Sequence, residues 1–137
     1  MPGLIIDASV VLAFMLPDEM DSYADKAMEA VAKMGAHAPA HWPLEIANGL
    51  LMAERRRRIT SAIRQQSLDD ARALPVEIDG QTVEAAWTSA SELAAKYKLS
   101  IYDAAYLELA KRVKLPLATL DDELKIAAVL EKVAIFA

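Results

Sequence analysis

The feature that most restricts the fold is a series of short apolar segments separated by stretches with helical periodicity. Leu4-Ile5-Ile6 is the first of these segments, and residues 115–118 form a later one. A run that is apolar at every position suits a strand buried on both faces of a sheet. Further short strands are expected at residues 37–40, 76–78 and 133–136. This order predicts an α/β fold with helices on both faces of a parallel sheet of about five strands.

The segments between the strands carry signals for helix starts and helix faces. Ser22 with Asp25 and Ser100 with Asp103 have the Ser-x-x-acid spacing of a capping box. Apolar residues recur at helical spacing from Val83 to Tyr97, which predicts one amphipathic helix there. In the helix after Ser100, this spacing places Tyr102, Ala105, Tyr106 and Leu109 on the inner face. The final helix is expected over residues 122–130.

Composition narrows the class of protein further. The 137 residues are 55% hydrophobic, which indicates one folded domain spanning residues 1–137. No apolar run approaches the ~18 residues of a membrane span, and the first residues lack the pattern of a signal peptide, so we expect a cytoplasmic protein without membrane contact. The chain contains no cysteine, so any metal must be held by oxygen or imidazole.

Net charge argues against one class of function. At −5, the charge has the wrong sign for a protein that mainly coats nucleic acid through phosphate contacts. Clustered carboxylates contribute to such a balance, and a divalent cation bound among them reverses the local charge that a phosphate meets. A metal-dependent enzyme that acts on nucleic acid is therefore compatible with this composition.

Two acidic residues follow predicted strands directly. Asp7 ends the Leu4–Ile6 run, and Asp121 follows residues 115–118 after two intervening residues. In parallel sheets, the polar residues that bind ligands lie at the carboxyl ends of the strands, near the point where the strand order reverses. An acid at the end of a buried strand loses hydration, and this loss costs free energy unless a cation compensates for it. Asp7 is therefore the strongest candidate for a functional residue.

Two other acids, Glu45 and Asp103, fall in the first turns of predicted helices, where free N–H groups favour negative charge. Each of these acids also has a purely structural explanation. Asp103 could serve only the capping box of Ser100, Glu45 only the helix dipole, and Asp121 only as a helix cap. If the last turn is shifted by one residue, Asp122 would be the functional acid and Asp121 the cap.

Four short segments, taken together, resemble the acidic motifs of the PIN domain. They are Asp7-Ala-Ser9 after the first strand, Glu45-Ile-Ala-Asn48, Tyr102-Asp103-Ala-Ala-Tyr106, and Ala118-Thr119-Leu120-Asp121. Their order, their spacing and the total length are similar to the VapC toxins of toxin–antitoxin pairs, and the resemblance spans essentially the whole chain. It implies a PIN-like three-layer fold and a carboxylate cluster that binds magnesium or manganese.

The resemblance also implies roles for these residues. Asp7, Asp103 and Asp121 would hold Mg²⁺, or Mn²⁺ in its place, directly or through water. Oxygen ligands suit both ions. Glu45 would be a further ligand or would orient the attacking water. Ser9, Asn48 and Thr119 are expected to support the acids from close by, although Ser9 could equally be a helix cap.

The implied function is that of an endoribonuclease toxin that hydrolyses RNA, is restrained by a cognate antitoxin and forms a homodimer. A non-catalytic PIN-like binding module is the alternative, and its mark would be a missing acid, but all four are present. Phosphatases with an aspartyl nucleophile need a second Asp at the position of Ser9, and receiver domains usually pair two acids at the first strand. Both of these protein classes are therefore disfavoured for this chain.

Several other conspicuous residues have structural explanations. His37 and His41 are four residues apart, but Pro39 prevents the helix that would place both rings on one zinc ion. The arginines from Arg55 to Arg58 are typical of a solvated helix end, with contact to an RNA backbone as the functional alternative. Three aromatic residues are expected in the core or an interface rather than under RNA bases: Trp42, Trp87 and Tyr106.

Overall fold

The computed structural model describes residues 3–137, which form a parallel sheet of four strands and eight helices. The strands are β1 (Leu4–Ile6), β2 (Ala36–Ala38), β3 (Val76–Ile78) and β4 (Leu117–Ala118). The helices are α1 (Ala8–Met15), α2 (Ser22–Met34), α3 (Trp42–Arg55), α4 (Ser61–Arg72), α5 (Thr82–Ala86), α6 (Ser89–Tyr97), α7 (Ile101–Val113) and α8 (Asp122–Leu130). The predicted α/β fold is confirmed.

The order of the strands places the reversal point beside Asp7. The sheet runs β3-β2-β1-β4, with every neighbouring pair parallel. Strands β2 and β3 extend the sheet on one side of β1, and the chain then returns to add β4 on the other side. Ile5 lies opposite Leu117 in this last pair. The crevice between the carboxyl ends of β1 and β4 is therefore the expected ligand position of such a sheet.

The prediction of about five strands differs from the structure at the carboxyl end of the chain. Residues 133–136 form no strand of their own but a single parallel bridge between Leu117 and Ile135. The N–H of Leu117 donates to the carbonyl of Ala134, and the N–H of Phe136 donates to the carbonyl of Leu117, both at 2.9 Å. Strand β4 is only two residues long. The edge that it offers to a fifth strand is therefore equally short.

The single helix predicted from Val83 to Tyr97 is wrong, because the structure divides it into α5 and α6. Thr88 has a non-helical backbone, and the hydroxyl of Ser91 donates to the carbonyl of Ala86. A side chain that takes up a helical carbonyl in this way offers the backbone an alternative to continuing the helix. Trp87 is consequently exposed rather than packed inward.

Helix caps agree with the sequence patterns in one case and differ in another. The hydroxyl of Ser100 accepts the N–H of Asp103 at 3.0 Å, as predicted. Helix α2 is capped by Asp21 rather than Ser22, since the Asp21 carboxylate accepts the N–H of Ala24 at 2.9 Å. A carboxylate so placed also complements the positive end of the helix dipole.

Helix α7 is the central helix of the fold. Its residues from Ala104 to Ala110 are all buried, including Glu108. Arg112 compensates this acid with two hydrogen bonds of 2.9 Å and binds Asp79 with two more. Tyr102, predicted to face inward, is 63% exposed. Within residues 3–137, no helix is long and apolar enough to cross a membrane.

Helices α1 and α3 pack closely at one point, where Gly49 of α3 has no side chain to hold off Leu12 of α1. A Cβ atom added to Gly49 would lie 2.4 Å from Cδ1 of Leu12, so glycine allows the close approach. Both helices begin at the carboxyl edge of the sheet, because α1 follows Asp7 and α3 carries Glu45 in its first turn. Their contact therefore fixes the relative positions of two candidate acids.

Candidate active site

The four predicted acids come from distant parts of the chain and converge at the carboxyl edge of the sheet. Asp7 precedes α1 and Asp121 precedes α8, whereas Glu45 and Asp103 lie in the first turns of α3 and α7. Their charges influence one another: Glu45 raises the pKa of Asp7, and both Asp121 and Asp7 raise the pKa of Asp103. The structure thus brings all four predicted residues together.

Asp7 is a buried carboxylate held by hydroxyl groups. It is 5% exposed, and its Oδ2 accepts hydrogen bonds from Ser9 Oγ at 2.8 Å and from Thr119 Oγ1 at 2.6 Å. Burial raises the pKa of Asp7, an effect that these two bonds oppose and the charge of Glu45 reinforces. Among residues 3–137 no Lys, Arg or His forms an ion pair with Asp7.

The hydroxyls that hold Asp7 also hold the loop before Asp121. Ser9 Oγ accepts the N–H of Leu120 at 3.2 Å, and Thr119 Oγ1 accepts the N–H of Asp121 at 3.1 Å. Each hydroxyl therefore donates to the carboxylate of Asp7 and accepts from the backbone that follows β4. Ser9 and Thr119, predicted to support the acids, are in direct contact with one of them.

Asp103 and Asp121 lie close enough for their side chains to interact. Burial raises the pKa of Asp103 most, and the neighbouring charge of Asp121 comes next. Asp121 is also the cap of α8, since its Oδ1 accepts the N–H of Leu124 at 3.1 Å. Asp122, the alternative considered from the sequence, is exposed on the first turn of α8. The structure therefore places Asp121, and not Asp122, beside the other acids.

Two residues beside Glu45 were not predicted as part of the site. The hydroxyl of Tyr106 donates to Glu45 Oε1 at 2.6 Å, and burial raises its pKa far above the usual value for a phenol, with the charges of Asp7 and Glu45 adding to this. His41 Nε2 lies 3.0 Å from the carbonyl of Tyr102 and 3.5 Å from Glu45 Oε1. Because a carbonyl only accepts, Nε2 carries the hydrogen.

Sequence spacing contained a signal for both residues. His41 precedes Glu45 by four residues, and Tyr106 follows Asp103 by three, which are the separations of neighbours on a helix surface. Asn48 is different: it is exposed on α3 and gives no hydrogen bond to the acids in the part of the chain that the structure describes. His37 Nδ1 lies 3.7 Å from Glu77 Oε2, on the neighbouring strand β3.

The donor set fits a hard divalent cation in an open site. Within residues 3–137 the side chains do not form a group of three acids or histidines already spaced around one ion. Magnesium, however, usually keeps several waters and needs only one or two carboxylates besides a substrate phosphate. Asp7, which is buried and has no ion pair in the part of the chain that the structure describes, supplies such ligands together with Asp103 and Asp121. The site therefore fits magnesium or manganese better than zinc.

Comparisons with known proteins agree with this fold. The family model described as PIN domain matches residues 4–130. Ribonuclease VapC3 of Pyrobaculum aerophilum is 29% identical over 125 residues, which are 88% of this chain and 91% of that protein. Ribonuclease VapC3 of Mycobacterium tuberculosis is 28% identical over 123 residues, with 88% and 84% of the two chains covered. The crystal structure of PAE2754 from Pyrobaculum aerophilum superposes with a TM-score of 0.70 at 24% identity, over 97% of this chain and 87% of that one. The chain belongs to the PIN domain family.

Proposed function

We propose that this chain is a metal-dependent endoribonuclease of the VapC toxin type, built as one PIN domain over residues 1–137. The observation that carries the proposal is the position of Asp7, a buried acid at the reversal point of the sheet that has no ion pair among residues 3–137 and lies near Glu45 and Asp103. The relatives named ribonuclease support RNA as the substrate.

The acids have two kinds of part in the proposed reaction. Asp7, Asp103 and Asp121 would hold Mg²⁺, or Mn²⁺ in its place, directly or through water. The ion would supply the Lewis acidity that polarises the scissile phosphate and lowers the pKa of a water, which replaces the leaving oxygen on phosphorus. Glu45 orients this water or accepts its proton, and the hydroxyl of Tyr106 keeps the carboxylate in place. Ser9 and Thr119 fix the rotamer of Asp7.

We also propose a cytoplasmic toxin restrained by a cognate antitoxin protein. The exposed apolar side chains of Phe14 on α1 and Leu44 beside Glu45 would accept an amphipathic segment of this partner. A basic side chain of the segment could then enter the acidic crevice and pair with the carboxylates. RNA hydrolysis would be blocked because the metal ligands and the substrate path are both occupied.

Growth of a host tests the enzyme against the alternative of a non-catalytic binding module. Expression of the wild-type chain without an antitoxin is expected to arrest growth, and expression of Asp103→Asn is not, since the site loses one ligand charge. Asp69→Asn, an exposed change on α4, is the matched control and should be as toxic as wild type. Equal toxicity of all three proteins at equal expression would favour the binding module.

The homodimer is proposed to form through the exposed apolar patch around Trp87. Trp87, Val83 and Tyr102 are 79%, 69% and 63% exposed, and they line a cavity of about 430 Å³ between α5, α6 and α7. Trp87→Glu is expected to yield a monomer in sedimentation equilibrium at micromolar concentration, because a carboxylate buried in an apolar interface costs several kcal/mol. Met20→Glu, at a 98% exposed position elsewhere, should stay dimeric. A dimeric Trp87→Glu protein would place the interface elsewhere.

A further inference from the structure

We propose that the arginines at the end of α3 bind the phosphate backbone of the RNA several nucleotides away from the cleaved bond. The arginine cluster consists of Arg55, Arg56 and Arg57, and the exposed face of α3 connects it to Glu45. This inference rests on the proposed ribonuclease function. It assigns a substrate-binding surface to residues that take no part in the acidic site.

The arginine cluster is not used to hold the fold together. Its neighbour Arg58 binds Asp18 through two hydrogen bonds of 2.8 Å, and Arg64 pairs with Glu54. Among residues 3–137, no ion pair involves Arg55, Arg56 or Arg57, and all three are exposed. Three adjacent cations without an ion pair to any described residue are unusual in a chain of net charge −5.

Helix geometry connects the arginine cluster to the acidic site. Asn48 lies about one turn after Glu45, and Arg55 lies seven residues, or about two turns, after Asn48, so the exposed face of α3 that carries Asn48 and Arg55 begins beside Glu45. At 1.5 Å per residue, the ten positions from Glu45 to Arg55 span roughly 15 Å along the axis. Arg56 and Arg57 follow directly after the end of the helix.

The packing of α3 keeps this separation constant. Gly49, one turn after Glu45, lies so close to Leu12 of α1 that a Cβ atom would clash with it. At the far end, Arg58 binds both Asp18 and Glu19 in the segment after α1. Helix α3 is thereby held at two points, so the arginine cluster and the acids form one rigid surface.

A nucleic acid backbone is the partner that this surface fits best. Guanidinium groups pair well with phosphate oxygens, often through two hydrogen bonds. A stacked strand advances ~3.4 Å per nucleotide, so the distance from Glu45 to the arginine cluster spans about five nucleotides. An RNA strand with one phosphate among the acids would therefore reach the cluster along the same face of α3. An acidic protein segment is the other polyanion that could bind here.

The test compares RNA of two lengths. The triple variant Arg55→Gln, Arg56→Gln, Arg57→Gln is expected to lower kcat/KM for a 20-nucleotide single-stranded RNA of mixed sequence at least about tenfold at low salt. The value of kcat should stay unchanged. A four-nucleotide RNA should be cleaved equally by both proteins, because it does not reach the arginine cluster. The slope of log K for RNA binding against log salt concentration should become shallower by about 2, because each lost phosphate contact removes ~0.7.

The control is a variant with the same loss of charge elsewhere: Lys26→Gln, Lys114→Gln, Lys132→Gln. All three lysines are exposed, and Lys114 and Lys132 share the positive φ of Arg57. An equal loss with the control, or equal losses for long and short RNA, would overturn the inference. Unchanged RNA cleavage in an arginine variant that no longer binds the antitoxin would also overturn it and would assign the cluster to the protein partner.

Binding without cleavage separates this inference from the proposed function. Fluorescence anisotropy of the labelled 20-nucleotide RNA, measured in EDTA, reports affinity independently of catalysis. If wild type cleaves no RNA but binds it more tightly than the arginine variant does, the ribonuclease proposal fails and the arginine surface stands. If wild type and the arginine variant bind this RNA equally, the proposed role of the arginine cluster is wrong, whether or not the protein cleaves RNA.

Discussion

Replacing Asp7 by asparagine is expected to lower the rate of RNA cleavage at least ~1000-fold, which is a loss of about 4 kcal/mol of transition-state stabilisation. The amide keeps the shape of the side chain and still accepts from the hydroxyls of Ser9 and Thr119. It lacks the negative charge that holds a divalent cation beside the scissile phosphate. The fold should therefore persist while the chemistry is lost.

Single-turnover cleavage of a labelled RNA by purified protein, with magnesium or manganese, measures this loss. Asp69→Asn, which changes an exposed acid on α4, should cleave at the wild-type rate. Excess EDTA should reduce wild-type cleavage to the level of Asp7→Asn. Undiminished wild-type cleavage in EDTA would exclude the metal mechanism, and an active Asp7→Asn protein would exclude Asp7 as an essential ligand.

Without metal, Asp7→Asn is expected to melt at or above the temperature of wild type. The pKa values of Asp7 and Asp103 are raised by burial and by neighbouring carboxylates, so the charged acids destabilise the native state at neutral pH. Manganese at 100 times its dissociation constant should add about 2.7 kcal/mol to wild-type stability, or roughly 10 °C in melting temperature. The variant should gain much less.

The pH dependence of this destabilisation has a definite sign. A raised folded pKa means that the native state binds protons before the unfolded state does as the pH falls. In EDTA, the stability of wild type relative to Asp7→Asn should therefore increase from neutral pH downward, and the gain should be complete below the ordinary carboxyl value of 3.8. Differential scanning fluorimetry of both proteins between pH 7 and pH 4 measures the difference, in which the acids that do not interact with Asp7 cancel. A variant that melts well below wild type, and gains equally from manganese, would identify Asp7 as structural.

Local signals were sufficient to predict where three of the candidate acids lie in the fold, whereas their roles remain a prediction. Asp7 ends an apolar run, Asp103 completes a capping box, and Asp121 begins the last helix, so each position follows from a few neighbouring residues. The parallel sheet follows from the alternation of short apolar segments and helices. Properties of this kind depend on periodicity and capping, which short stretches of sequence determine.

Contacts between distant segments could not be predicted in the same way. The bond from Tyr106 to Glu45 joins residues 61 positions apart, and a buried tyrosine is otherwise explained by packing alone. The break between α5 and α6 depends on one hydrogen bond, from the hydroxyl of Ser91 to the carbonyl of Ala86. The fifth strand failed to form because β4 ends after two residues, and strand length depends on the pairing partners as much as on propensity.

The burial of α7 determines where protection against hydrogen exchange should be greatest. A helix enclosed over seven consecutive residues, from Ala104 to Ala110, exposes its amides only when the whole domain unfolds. Its slowest amide protons then measure the global free energy of unfolding. Any ligand that binds only the native state should slow their exchange, including a cation that contacts the helix only at Asp103. Exchange rates in the middle of α7 would therefore detect binding at the acidic crevice from within the core.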